Sequence, residues 1–216
     1  MKYLFEIASR TTLDQSVEKK HKTLIEGLKQ VPDPWGVADK SKDYDVSAFG
    51  NQLISVFKLN KILGKNIKGE IIYRYRRLLA DDSSNDDHIH IEFDPSKIKY
   101  IELIDVVLKQ YVSSFDAYSA SIFNEDLIFE DFEKSRNKNF RDTILRFYPV
   151  CFFDEELSLR ALKLAPQEVI TRLTGQVEKV EIFRGGVVII ATNHLMSREQ
   201  ANDFDLKIAS LLGVPR

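Results

Sequence analysis

Hydrophobic and polar positions alternate with a period of two along His88-Ile89-His90-Ile91-Glu92-Phe93, the pattern of a half-buried strand. The pattern then changes to steps of three and four at Ile98, Ile101, Ile104, Leu108, Tyr111 and Phe115, one apolar stripe of a helix. Between them Asp94-Pro95 supplies an N-cap acceptor and a proline at the first helical position, where a missing N–H costs nothing. Alternation returns at Tyr118, Ala120 and Ile122. Asp86 to Phe123 therefore reads strand, helix, strand, a crossover that lays two strands parallel in one sheet.

The same patterns divide the rest of the chain. Tyr3, Phe5 and Ile7 alternate with Leu4, Glu6 and Ala8 as a first strand. Thr12-x-x-Gln15 reads as a capping box before a helix with Val17, His21, Leu24, Leu28 and Val31 on one stripe, stopped by Pro32 and Pro34. Residues 32–50 have no stable period and read as a long loop around Trp35. Strands are predicted over Leu53 to Leu59 and Ile71 to Leu79, followed by the acidic loop Asp81 to Asp87. Beyond Phe123, Asn124 caps a charged helix, and Phe147 to Phe153 is apolar and extended. Asp154 caps one short helix and Pro166 begins another. Val177 to Phe183 and Val187 to Thr192 form a hairpin through Gly185-Gly186, and the unbroken run Val187 to Ala191 implies burial on both faces. Ser197-x-x-Gln200 caps a last helix with Ala201, Phe204, Ile208 and Leu211 on its stripe. The sum is one α+β domain over residues 1–216, a mixed, mostly antiparallel sheet with helices packed mainly on one face. Its two halves share a pattern of strand and helix and meet near residues 80–85.

Composition adds exclusions. Lys plus Arg number 31 against 33 Asp plus Glu, a formal charge of −2, so there is no basic field to hold nucleic-acid phosphates. Cys151 is the one cysteine, so no internal disulfide can form, and Val150, Phe152 and Phe153 around it predict a buried thiol in a reducing compartment. The opening Met1-Lys2-Tyr3-Leu4-Phe5-Glu6 is too soon interrupted to be a signal peptide, and no apolar run is long enough to span a bilayer, so a cytoplasmic protein is expected.

Candidate chemistry is sparse. His88, His90 and Glu92 share one strand face and offer three ligands to zinc or iron. Neighbours on such a face stand nearly ~7 Å apart, and an exposed polar face with Ile89, Ile91 and Phe93 turned inward explains the same letters without metal. His21 lies on an apolar stripe, where packing explains it. Gly64-Lys65-Asn66 lacks the remaining glycine and hydroxyl of a phosphate loop. His194 and Ser197 have no acid or oxyanion group placed with them. No catalytic constellation, metal or cofactor is therefore expected. Acidic residues are more prominent: Asp81, Asp82, Asp86 and Asp87 lead into the His88, His90, Glu92 face, and Glu130 and Asp131 form a second patch. An acidic surface suits a basic partner. Trp35 either anchors such a partner or lids the core.

Pro34-Trp35-Gly36 in an early loop, the run Tyr148-Pro149-Val150-Cys151-Phe152-Phe153-Asp154 and the hairpin Gly185-Gly186-Val187-Val188-Ile189-Ile190, together with the N-terminal Met1-Lys2-Tyr3-Leu4-Phe5-Glu6, carry a whole-chain resemblance. The chain resembles the immunity proteins that bacteria encode beside polymorphic toxins, in particular the immunity protein 52 type. The resemblance implies a cytoplasmic antitoxin that occludes one cognate toxin, typically a nuclease effector delivered by a neighbouring cell or by type VI secretion. It would do so without catalysis and without direct contact to nucleic acid or membrane. Asp81, Asp82, Asp86, Asp87, His88, His90, Glu92, Glu130, Asp131 and Trp35 are the candidate partner-binding residues. The competing readings are a small metal-dependent hydrolase using His88, His90 and Glu92, and a binding module of another kind.

Overall fold

A computed structural model describes residues 2–42, 44, 53–76 and 81–215. Its centre is an eight-stranded sheet of β1 (Tyr3–Ser9), β2 (Ile54–Lys58), β3 (Ile67–Arg74), β4 (Asp87–Phe93), β5 (Ser119–Asn124), β6 (Val150–Phe153), β7 (Lys179–Phe183) and β8 (Gly186–Ile190). The spatial order is β2-β3-β4-β1-β5-β6-β8-β7, and every neighbouring pair is antiparallel. The α+β class read from the sequence is the class observed. β4 and β5 run parallel to one another, as the crossover requires, but they are not neighbours. β1 lies between them and pairs with both, a split strand-helix-strand unit.

The helices are α1 (Val17–Leu28), α2 (residues 100–115), α3 (Leu127–Ser135), α4 (residues 155–162), α5 (Pro166–Leu173) and α6 (Arg198–Leu212). They occupy both faces of the sheet, not mainly one. α1 and α2 bury Leu24, Leu28, Leu108 and Tyr111 against Phe5, Ile7, Ile89 and Ile91, a layer that continues to Phe152, Val188 and Ile190. On the opposite face α4, α5 and α6 cover Cys151, Phe153, Val187 and Ile189 with Leu157, Val169, Leu173 and Ile208. The cause is legible in β6 and β8, whose residues are apolar on both sides and so demand a cover on both. Over β2, β3, β4 and β1 that second face carries polar and half-buried side chains instead.

Several local expectations shift. The cap of α1 is Ser16, whose hydroxyl accepts from the Lys19 N–H; the Thr12 box does not form. Asp94 caps a short turn Pro95–Lys97, and α2 begins afterwards with Tyr100–Glu102. A π-helical turn at Leu103–Val107 interrupts α2 and changes the phase of its apolar stripe, which leaves Ile101 exposed while Ile104 and Leu108 are buried. β3 starts at Ile67, four positions before the predicted Ile71; Arg77 to Leu79 lie outside the described residues. In the β7–β8 hairpin the turn is Arg184-Gly185, both at positive φ (49° and 78°), and Gly186 is already in the strand. A Cβ on Gly186 would stand 2.4 Å from the Phe153 carbonyl oxygen, so close strand packing fixes glycine there. Trp35 is 1% exposed beneath α2, where the Tyr111 hydroxyl donates to its carbonyl at 2.7 Å. It packs edge-on against Phe5 and Phe93 and is a core residue, not a surface anchor.

Candidate functional site

On the second face, a groove of about 620 Å³ opens over β3, β4, β1 and β5. Strand register builds its floor in cross-strand rows. Ile72, His88, Ala8 and Ser119 form one row, and Glu70, His90, Glu6 and Ser121 form the next. One wall is α3, through Ile128, Phe132 and Ser135. The other is the irregular segment 139–149, through Phe140, Thr143 and Ile144. Phe123 and Tyr148, stacked with ring centroids 4.0 Å apart, close one end.

Two buried arginine clasps hold the wall segment in place. Arg141 donates to Asp86 from Nε at 2.9 Å and from Nη2 at 2.5 Å, and the Tyr118 hydroxyl donates to the other Asp86 oxygen at 2.8 Å. Arg146 makes a fork onto Asp131, with both bonds at 2.7 Å, and the Tyr148 hydroxyl adds a third contact at 3.1 Å. Arg141 puts both bonds on one Asp86 oxygen, whereas Arg146 meets both oxygens of Asp131, the charge-assisted bidentate geometry that is among the strongest.

The groove's electrostatics are set by Glu6 and the two histidines. Glu6 faces His90 directly across β1 and β4, with Oε1 3.1 Å from Nδ1. The hydrogen bond to Glu6 raises the His90 pKa above the ordinary 6.5, although partial burial opposes it. His88, one row along, sits between Ile72 and Ala8, and burial there lowers its pKa below 6.5 against the pull of Asp86 and Glu6. The two imidazoles are thus pushed in opposite directions, His90 toward its charged form and His88 toward its neutral one.

Apolar shoulders flank the floor. Within α3 only Leu127 and Asp131 turn inward; Ile128, Phe129 and Phe132 are 39%, 82% and 57% exposed. On the other side Ile54 and Val56 of β2 are exposed in line with Arg74 and Ile72 of β3. Large apolar side chains rimmed by Asp126, Glu133 and Lys134 are the composition of an interaction surface.

The sequence-predicted site separates into three groups. Asp86, Asp87 and Asp131 are buried, as is Trp35, and they are corrected from surface to interior. Asp86 and Asp131 carry the clasps, and Asp87 receives Lys20 at 2.9 Å and Arg76 at 2.7 Å from inside the α1 layer. A carboxylate surrounded by that many donors is a structural ion, and a partner does not reach it. Asp81 and Asp82 stay exposed, Asp81 paired to Arg160 at 2.7 Å and Asp82 capping the turn at Ser84. Glu130 is half-buried beside Arg146 and Arg198. His88 and His90 reach the groove floor. Glu92 shares their face but pairs with Lys2 at 2.7 Å. Among the described residues no group of three or more His, Cys, Asp or Glu side chains is placed to hold a metal ion.

Sequence reasoning missed Glu6, Glu70, Ile128, Phe129 and Phe132. The signal was present in α3, where Leu127, Ile128, Phe129 and Phe132 exceed what one inward stripe needs. Glu6 was visible only as the polar member of an alternating strand; its importance comes from register with His90, which a single strand does not encode.

No family model matches the chain, and no curated protein matches it. Among solved structures it is similar to "Pseudomonas aeruginosa T6SS protein PA0821", with a TM-score of 0.57 and 10% identity, covering 98% of this chain and 72% of that one. At that identity the likeness shows a shared fold. Among the described residues no helix is long and apolar enough to cross a membrane.

Proposed function

We propose that the chain is an immunity protein, a cytoplasmic antitoxin that binds one cognate toxin and occludes it. The observation that carries this reading is the pair of apolar shoulders that the chain's own fold leaves unburied on either side of an acid-floored groove. Phe129 and Phe132 stand beside carboxylates, the combination of aromatic anchor and charged rim on which protein interfaces depend. The fold shared with a T6SS protein supports a setting in secretion between competing cells. A basic, nucleic-acid-cleaving effector is the partner this surface complements, since acidic rims steer and orient such partners. The chain itself supplies binding, not catalysis, and needs neither cofactor nor nucleic acid for it.

The experiment is affinity capture of the tagged chain from its native cells with secretion active, followed by assay of the captured protein. One stoichiometric partner is expected, toxic when expressed alone and harmless when co-expressed with this chain. A partner that remains equally toxic on co-expression would sink the antitoxin reading.

A further inference from the structure

We infer that the groove receives a guanidinium side chain of the bound partner on the Glu6 carboxylate, and that His90 gives up its proton as the cation seats. The inference rests on the docking reading above and names the chemistry at its centre.

Three carboxylates line the groove: Glu6, Glu70 and Asp131. Asp131 is held by the Arg146 guanidinium, and Glu70 by the Lys58 ammonium. Glu92, just beyond the groove on β4, has Lys2, and Asp86 at its end has Arg141. Among the described residues Glu6 is paired only with the imidazole of His90, a partner that loses its charge as the pH rises. Both side chains are 42% exposed, so the carboxylate opens into the groove and is not sealed beneath it.

The groups facing His90 are Glu6 from β1, Glu70 from β3, and His88 and Glu92 from its own strand. Burial pushes His88 toward its neutral form, which makes it a poor replacement cation. With His90 deprotonated, Glu6 therefore has no cation paired to it among the described residues, in a concavity walled by Phe132 and Ile128. Low-dielectric walls strengthen its pull on a cation. A planar guanidinium fits better than an ammonium, because it offers paired N–H donors to a carboxylate and a flat face to the aromatic wall. Where His90 is charged, seating the cation releases one proton: imidazolium and cation exchange places on Glu6.

The coupling has a fixed sign. In the free chain Glu6 raises the His90 pKa; a cation on Glu6 removes that support and lowers it. Affinity for the cation therefore rises with pH between the His90 pKa of the complex and that of the free chain, by at most about tenfold per pH unit, and levels off on either side.

The test uses the full chain and N-acetyl-L-arginine amide as probe, with N-acetyl-L-glutamine amide as the uncharged comparator. Histidine side-chain resonances are followed by NMR against pH. The arginine probe is expected to lower the His90 pKa while the comparator leaves it in place. Glu6→Gln is expected to abolish both the raised His90 pKa and the response to the probe, with the His88 resonance reporting an intact floor. An arginine probe that acts no more than the comparator, or a Glu6→Gln chain that responds as the unsubstituted one does, overturns the inference. So does a captured partner that binds the Glu6→Gln chain with unchanged affinity at every pH, and that outcome leaves the docking reading itself standing.

Discussion

Replacing Asp87 by alanine is expected to destabilise the protein by about 3–5 kcal/mol, the range for removing one member of a buried ion pair. Asp87 is fully buried and accepts from the Lys20 ammonium, from both ends of the Arg76 guanidinium, and from the Arg74 backbone N–H at 2.8 Å. Lys20 is itself 2% exposed and stands over the Phe115 ring, 4.6 Å from its centroid. Burial already pulls the Lys20 pKa down, and Asp87 is the counter-ion that opposes this. Without Asp87 the Lys20 and Arg76 cations lose their counter-ion, and among the described residues only the bonds to Ser9 and to the Gln15 and Arg74 carbonyls remain. Urea unfolding reads the loss directly, and the thermal midpoint should fall by on the order of 10 °C for a chain of this size. Asp81→Ala is the control: its carboxylate is 63% exposed and its shortest ion pair is to the partly exposed Arg160, so the unfolding midpoint should move little. An Asp87→Ala protein as stable as the Asp81→Ala one would contradict the assignment of Asp87 to the interior.

The second large effect concerns binding and leaves the fold alone. Truncating Phe129 and Phe132 together to alanine is expected to weaken the captured complex by at least about 2 kcal/mol, the threshold for a hot spot, or about 30-fold in Kd. Both rings project from α3 away from Leu127, so their loss removes little packing within the chain. The unfolding midpoint of the free variant should stay close to that of the parent, which separates an interface effect from a folding one. Charge reversal at Asp81 and Asp82 is expected to alter the association rate and its salt dependence more than the final affinity, since these residues stand away from the groove lining. A double phenylalanine variant that binds as tightly as the parent would remove α3 from the interface.

How far the sequence carries depends on the range of the determinant. The strand His88 to Phe93, the caps at Asp154 and Ser197 and the buried run Val187 to Ile190 were legible because short-range periodicity and capping decide them. The phase of α2 was not, because the π-helical turn at Leu103–Val107 answers to packing over the sheet and not to local spacing. The acidic run Asp81 to Asp87 shows the same limit at the level of the site. Its members share a chemistry, yet Asp81 and Asp82 are exposed while Asp86 and Asp87 are sealed by Arg141, Arg76 and Lys20, residues distant in the chain. Whether a carboxylate meets solvent or an arginine is a tertiary fact. The groove is likewise made by register: Glu6, His90 and Glu70 are unremarkable in their own strands and become a row only when β1, β4 and β3 pair.

On the proposed function, a protein partner covers the second face of the sheet over β2, β3, β4 and β1 together with α3. Hydroxyl-radical footprinting of the purified chain, free and in the captured complex, tests it most directly because it reads side chains. Phe129, Phe132, Ile54 and His90 are expected to react in the free chain and to be protected in the complex. Leu206 and Leu159, exposed at 57% and 46% on α6 and α4, should react equally in both. Protection of Leu206 and Leu159 with Phe129 and Phe132 unchanged would contradict the claim and place the partner elsewhere on the molecule.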